Sequence, residues 1–104
     1  MKTVKASLLI LAGALVFSTY TFADSAADFK AKCVACHGAT GAGDTTMGKN
    51  LKLKDLGSSD VQKQSDDELT TIITKGKGKM PAYDGKLSKD QIGDLVKYVR
   101  GLKK

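Results

Sequence analysis

"Cys33-Val34-Ala35-Cys36-His37" contains both cysteines and the one histidine of this 104-residue chain. The chemistry of the chain therefore depends on what two thiols three positions apart do with an imidazole directly after the second. Three kinds of site use such a spacing: structural zinc, thiol–disulfide exchange, and covalent attachment of haem.

This sequence lacks a feature that each of the first two kinds of site requires. A structural zinc site takes four ligands, usually cysteine and histidine, and the chain offers at most three. A thioredoxin-like thiol pair begins a helix that follows a strand, whereas the residues before Cys33 have a helical pattern and include no run of Val, Ile or Thr. Disulfide exchange stays open as the less supported alternative.

Covalent haem attachment uses every residue of the motif. The Cys33 and Cys36 thiols would form thioethers with the two vinyl groups of the porphyrin, and His37 would bind the iron. We therefore predict one covalent, thioether-linked haem c in this chain.

The N-terminal 23 residues predict a secretory signal peptide. Lys2 and Lys5 give a basic start, residues 7–17 form an almost wholly apolar run, and Thr21-Phe22-Ala23 ends in a small-residue cleavage site. The apolar run is shorter than the ~20 residues that cross a bilayer, which makes a retained anchor the less favoured alternative. We expect export to a bacterial periplasm and no stable membrane insertion after cleavage. A thylakoid lumen is less favoured because no long transit segment precedes the run.

Cleavage after Ala23 would leave residues 24–104, which is one small domain and, we expect, a monomer. A domain of this size has a marginal core, and a bound cofactor is one way to stabilise it.

The iron needs a second ligand if it is to transfer electrons rather than bind small molecules. Met80 lies in a Gly-Lys loop directly before Pro81, which restricts the backbone on both sides of that peptide bond and so holds the thioether in place. Met47 lies closer to His37 in a polar segment and is the weaker candidate. The predicted cofactor-binding residues are Cys33, Cys36, His37 and Met80, of which His37 and Met80 bind the metal.

At these positions the sequence resembles the small bacterial class I c-type cytochromes, over essentially the whole of residues 24–104. The resemblance rests on Cys33-x-x-Cys36-His37, the loop with Met80-Pro81, Phe29 four residues before the first cysteine, and Tyr98-Val99 near the C-terminus. It implies an all-α, cytochrome c-like fold with about three main helices around one covalently attached haem. It also implies a respiratory carrier that works between a quinol–cytochrome c reductase and a terminal oxidase or reductase.

Two positions depart from the family pattern. Ser25 stands where many members have a glycine, at the crossing of the first and last helices. Lys49 stands in Gly48-Lys49-Asn50-Leu51 where the family has proline. In the family the backbone carbonyl of that residue accepts a hydrogen bond from the second nitrogen of the histidine, and lysine also has a carbonyl.

The helical patterns agree with this fold independently. Ser25 with Asp28 predicts the cap of a first helix, one face of which carries Ala26, Phe29, Cys33 and Cys36. Ser65-Asp66-Asp67-Glu68 predicts a capping box at the start of a middle helix that ends at Gly76. Ser88 with Gln91 predicts a second capping box, at the start of a last helix with the apolar residues Ile92, Leu95, Val96, Val99 and Leu102. Residues 38–64 predict a long segment wrapped around a haem edge, because so long a loop needs a surface to pack on.

Histidine and methionine together saturate the iron, and the soft thioether raises its potential. We therefore predict a one-electron carrier and no enzyme, since the chain offers no second histidine or carboxylate pair for acid–base work. A peroxidase-like or gas-sensing role is the alternative that applies if Met80 is not bound.

Charge predicts the kind of partner. The full chain is +6, and residues 24–104 have 15 basic against 11 acidic residues. Lysines cluster at Lys75, Lys77 and Lys79 before the methionine and at Lys49, Lys52 and Lys54 in the other loop. A basic collar at the haem edge would favour redox proteins with acidic docking surfaces, and an ordinary solvated lysine surface is the alternative. We expect no nucleic acid partner, because no aromatic residues are interleaved with the lysines.

Overall fold

The computed structural model describes residues 22–104, and these form six helices. They are α1 (Phe22–Lys32), α2 (Val34–His37), α3 (Thr46–Asn50), α4 (Ser59–Gln62), α5 (Asp66–Lys75) and α6 (Lys89–Gly101). Three of them, α1, α5 and α6, have ten or more residues and are the predicted main helices. Within residues 22–104 there is no strand, only two isolated bridges. The predicted signal peptide lies outside the described residues except for Phe22 and Ala23.

The predicted cap at the start of the first helix is wrong. The helix α1 begins at Phe22, so Ser25 lies inside it and Asp24 is the acidic residue of its first turn. Ser25 is only 1% exposed, and α1 packs mainly on α6. Ser25 is therefore explained by burial and not by capping. It lies where the family has its helix crossing, and its small side chain lets two helices approach closely.

The first helix is also interrupted at the haem-attachment motif. It ends at Lys32, Cys33 has φ −116° and ψ −31°, and α2 then covers Val34–His37. The Cys36 N–H donates to the Cys33 carbonyl at 3.2 Å, so the regular helical bond to the Lys32 carbonyl is replaced. Phe29 is buried on the predicted apolar face, while both cysteines are half-buried.

The predicted capping box of the last helix is confirmed, whereas the box predicted for the middle helix forms only in part, through the Ser65 side chain. The Ser65 hydroxyl accepts the N–H of Glu68 at 3.0 Å, and α5 ends at Gly76 with φ +75°. The α6 box is complete, since the Ser88 hydroxyl accepts the Gln91 N–H at 3.1 Å and the Gln91 side chain accepts the Ser88 N–H at 2.8 Å. Each cap satisfies backbone donors that a helix start leaves unpaired.

The core lies where α6 meets α1 and α5. One buried cluster consists of Phe29, Leu87, Ile92 and Leu95, and a second consists of Val61, Leu69 and Val96. The rings of Phe29 and Tyr98 lie 4.8 Å apart and tilted by 35°, within the range of favourable aromatic pairs. The predicted apolar stripe of the last helix therefore forms the centre of the fold.

The segment 38–64 contains two short helices, α3 and α4, and is tied to the rest of the chain. The Gly43 N–H donates to the His37 carbonyl at 2.7 Å, and the Leu56 N–H donates to the Gly41 carbonyl at 2.8 Å. The Gln62 side chain donates to the Val99 carbonyl at 2.9 Å. None of the helices in the described part of the chain is long and apolar enough to cross a bilayer.

Candidate haem site

Two adjoining clefts open beside the haem-attachment motif. The first, which we call the apolar cleft, lies between side chains of α1, α5 and α6, among them Phe29, Leu69, Ile73 and Leu95. The second, which we call the basic cleft, is lined by lysines together with Leu51, Leu53 and Pro81. Cys33, His37, Met80 and Tyr83 line both clefts.

The two thiols lie at this junction. Cys33 lines both clefts and Cys36 lines the basic cleft. Burial, with the nearby Asp28 carboxylate, raises the pKa of the Cys33 thiol to about 11, against the opposing effect of Lys32. Because the thiolate is the reactive form in disulfide exchange, this environment disfavours the thiol-exchange alternative.

His37 is the last residue of α2 and lines both clefts. Burial lowers its pKa, which favours the neutral imidazole that a metal ligand requires. Its Nδ1 is buried and has no hydrogen-bond partner within the described structure. Buried nitrogens normally have a hydrogen-bond partner or a metal ligand bond. In a metal site, one imidazole nitrogen binds the metal and the other forms a hydrogen bond.

The bond that the family resemblance implied for the second nitrogen of His37 is not formed here. The Lys49 carbonyl instead accepts the Lys52 N–H at 3.2 Å. Lys49 lies in the last turn of α3, and its carbonyl accepts a hydrogen bond from the backbone that follows the helix.

The structure separates the two candidate methionines. Met80 is half-buried on both clefts, whereas Met47 is 52% exposed and lines neither of them. Met80 ends a tight turn in which the Met80 N–H donates to the Lys77 carbonyl at 2.9 Å and the Lys77 N–H donates to the Met80 carbonyl at 3.2 Å. Gly78 has φ +57° at the second position of this turn, as a type II′ turn requires.

Sequence reasoning did not predict the contacts of three residues at the site, although Tyr83 belongs to the methionine loop that carries the family resemblance. The Tyr83 hydroxyl donates to the Lys32 carbonyl at 3.0 Å, and the Thr45 hydroxyl donates to the Cys36 carbonyl at 2.7 Å. The Lys32 side chain lines the basic cleft. No local pattern marks these contacts, because each joins segments that are distant in sequence or depends on the break in the helix at Cys33.

Together these residues fit a haem. The apolar cleft offers an apolar surface for a flat porphyrin, and Cys33, His37 and Met80 line it. Cys36 lines the adjoining basic cleft. Nitrogen and soft sulfur ligands of this kind are those that hold haem iron in cytochromes.

Comparisons with known proteins agree with this fit. The family model described as cytochrome c oxidase, cbb3-type, subunit III matches residues 21–99. Cytochrome c6 of Leptolyngbya boryana is 41% identical over 80 residues, which cover 74% of this chain and 91% of that protein. Cytochrome c6 of Microcystis aeruginosa is 38% identical over 76 residues, with 73% and 90% covered. In a solved structure, the c-type cytochrome KustC0563 superposes with a TM-score of 0.71 at 29% identity, covering 77% of this chain and 98% of that one.

The family match spans the haem-attachment motif, the methionine turn and most of α6. The comparisons confirm the predicted all-α cytochrome c fold and the predicted single covalent haem c with its iron. They also confirm that the protein is an electron carrier rather than an enzyme. The chain belongs to the class I c-type cytochromes.

Proposed function

We propose that this protein is an exported, monomeric one-electron carrier in which Cys33 and Cys36 attach the haem and His37 and Met80 bind its iron. The bound haem supplies the one-electron chemistry, since its iron alternates between two oxidation states. The observation that supports this assignment best is that His37 and Met80, far apart in sequence, line the same two clefts. The exposed position of Met47 further favours Met80.

The ligand assignment is tested by absorption spectra of the holoprotein, from the visible to the near infrared. The wild type should be low-spin, with a sulfur-to-iron charge-transfer band in the ferric state. Met80→Ala should lose this band and bind carbon monoxide readily when reduced, because the sixth iron position is open. Met47→Ala is the matched control and should keep the band. A band that survives Met80→Ala, or disappears in Met47→Ala, contradicts the assignment.

We further propose that residues 1–23 are a signal peptide and that the mature periplasmic protein comprises residues 24–104. The basic start, the short apolar run and the small residue at Ala23 support this proposal. Mass spectrometry of the haem protein from a periplasmic fraction should find Asp24 at the N-terminus. An intact Met1 in that protein would contradict the cleavage.

The partners that we propose are respiratory redox proteins with acidic docking faces, such as a quinol–cytochrome c reductase and a terminal oxidase or reductase. The lysines that line the basic cleft support this proposal, and in the structure the basic collar consists of these residues: Lys32, Lys52, Lys54, Lys77 and Lys79. No aspartate or glutamate is among the described residues that line this cleft. Two lysines that the sequence pattern included, Lys49 and Lys75, do not line it.

The role of the basic collar is tested by two charge reversals of equal size. Lys52→Glu with Lys77→Glu should slow electron exchange with an acidic redox partner about tenfold at low salt, because steering depends on charge at the contact face. Lys49→Glu with Lys75→Glu changes the net charge equally and should have a smaller effect. The difference should disappear at high ionic strength. Equal rates for the two double variants, or a rate for the wild type that does not depend on salt, would contradict a specific docking face.

A further inference from the structure

The segment after Met80 is joined to the segment before Cys33 by one side chain. The Tyr83 hydroxyl donates to the backbone carbonyl of Lys32 at 3.0 Å, across 51 positions of sequence. Lys32 is the last residue of α1 and directly precedes the first cysteine of the haem-attachment motif. The contact therefore links the end of α1, early in the sequence, to the segment after Met80, late in the sequence, and both border the clefts.

The Lys32 carbonyl is available because the helix breaks at Cys33. In a continuous helix this carbonyl would accept the N–H of Cys36, but that N–H donates to the Cys33 carbonyl instead. A carbonyl at a helix end needs another donor, and the phenol of Tyr83 supplies it. Phenylalanine at this position would leave the carbonyl without that partner.

The backbone of Tyr83 also forms hydrogen bonds. The Tyr83 N–H donates to the Ile73 carbonyl of α5 at 3.0 Å, and the Tyr83 carbonyl accepts the Leu87 N–H at 3.0 Å. Its ring lines both clefts, beside Met80 and Cys33. Tyr83 thus contacts α5, the end of α1 and the clefts at the same time.

We propose that Tyr83 is a positioning residue, which holds the Met80 turn close to the haem-attachment motif through its hydrogen bond to the Lys32 carbonyl. The inference rests on the proposed ligation by Met80. Only Pro81 and Ala82 separate Met80 from Tyr83, and Pro81 has a fixed φ, so movement of the methionine away from the cleft strains this hydrogen bond. Loss of the bond should therefore favour the state in which the methionine is displaced.

The test is displacement of the axial methionine in the ferric holoprotein by added imidazole, followed through the sulfur-to-iron charge-transfer band. Tyr83→Phe removes one hydroxyl and keeps the ring. We expect the band to be present in this variant and imidazole to displace the methionine with an apparent affinity about 2- to 10-fold higher, the range for one net hydrogen bond. Tyr98→Phe is the matched control, because Tyr98 packs on Phe29 in the core and does not line the clefts. It should leave the displacement unchanged.

A second pair of variants separates positioning from a general structural effect. In a Met80→Ala background no methionine has to be displaced, so Tyr83→Phe should no longer change the affinity for imidazole. An equal effect with and without Met80 would overturn the proposal, as would a Tyr83→Phe protein that binds imidazole like the wild type. The wild-type and Met80→Ala spectra test the ligation separately. If the band is present in the wild type and lost in Met80→Ala, either of these two outcomes contradicts the Tyr83 proposal but not the ligation by Met80. If the wild type has no band, the Met80 assignment and the Tyr83 proposal fail together.

Discussion

Thr45 joins two short helices through a single hydroxyl. This hydroxyl donates to the Cys36 carbonyl at 2.7 Å and accepts the Gly48 N–H at 2.9 Å. It thus caps α3 and holds α3 against the second cysteine. A Cβ on Gly48 would lie 2.5 Å from the Cys36 carbonyl oxygen, so this close approach depends on glycine at position 48.

Replacement of Thr45 should therefore destabilise the fold at the haem-attachment motif. We expect Thr45→Val, which keeps the shape and loses the hydroxyl, to lower the free energy of unfolding of the holoprotein by about 1–2 kcal/mol. Thr45→Ser keeps both hydrogen bonds and should be close to wild type. Denaturant unfolding of both variants provides the measurement. If serine proves as destabilising as valine, the methyl group rather than the hydroxyl is the stabilising part.

At the scale of elements, the end of α5 and the methionine turn form one unit. The helix ends at Gly76 with φ +75°, and a Cβ there would lie 2.5 Å from the Met80 carbonyl oxygen and 2.9 Å from the Ala82 nitrogen. The turn is therefore packed directly on the helix end. Gly78, within the turn, also has a positive φ, +57°, but a Cβ there would meet nothing within 4 Å.

These two glycines form a matched pair for mutation. Gly78→Ala introduces backbone strain alone and should cost about 1 kcal/mol of stability. Gly76→Ala adds a clash with the backbone of the methionine turn and should cost about 2–4 kcal/mol. Because that clash moves Met80, the sulfur-to-iron band should also weaken in Gly76→Ala and persist in Gly78→Ala. Equal unfolding free energies for the two variants would show that the contact between helix end and turn is not important.

At the scale of the whole molecule, Arg100 on α6 connects the last helix with the segment that leads into α5. Its guanidinium donates to the Gln62 carbonyl at 2.7 Å and to the Gln64 carbonyl, and it pairs with the Asp66 carboxylate at 2.9 Å. The planar fork of arginine suits several acceptors at once. Two of these acceptors are backbone carbonyls at the end of α4 and in the loop after it, where helical backbone donors are no longer supplied.

Removal of this connection should destabilise the whole domain. We expect Arg100→Met to lower the free energy of unfolding by about 2–3 kcal/mol, since hydrogen bonds from a charged donor are lost and backbone carbonyls are left without it. Arg100→Lys should recover only part of the loss, because an ammonium lacks the fork geometry. Lys97→Met is the control: Lys97 is 81% exposed, and its ion pair among residues 22–104 is with Asp94 at 3.8 Å, so the change should stay within about 0.5 kcal/mol. A similar loss for Lys97→Met and Arg100→Met in denaturant unfolding would contradict the specific role of Arg100.

Local patterns predicted the parts of the fold that local interactions stabilise. The N-cap at Ser65, the capping box at Ser88 and the helix end at Gly76 were predicted correctly, because each depends on residues within one turn. The cap at Ser25 was wrong, because burial at a helix-packing position overrides a short-range preference. The contacts of Tyr83, Thr45 and Arg100 could not be predicted, because a polar residue far from its partner in sequence has no periodic signal.

The chemistry of the site follows from the amino-acid sequence alone. The spacing of Cys33, Cys36 and His37 places two thiols and an imidazole within one short stretch, so their proximity is set by covalent geometry before the chain folds. The Met80-Pro81 pattern already favoured Met80 over Met47, but which lysines surround the clefts depended on the tertiary structure. Residues such as Met80 and Lys32 come to line one cleft only when helices that are distant in sequence pack around a shared core. No local sequence pattern encodes that packing.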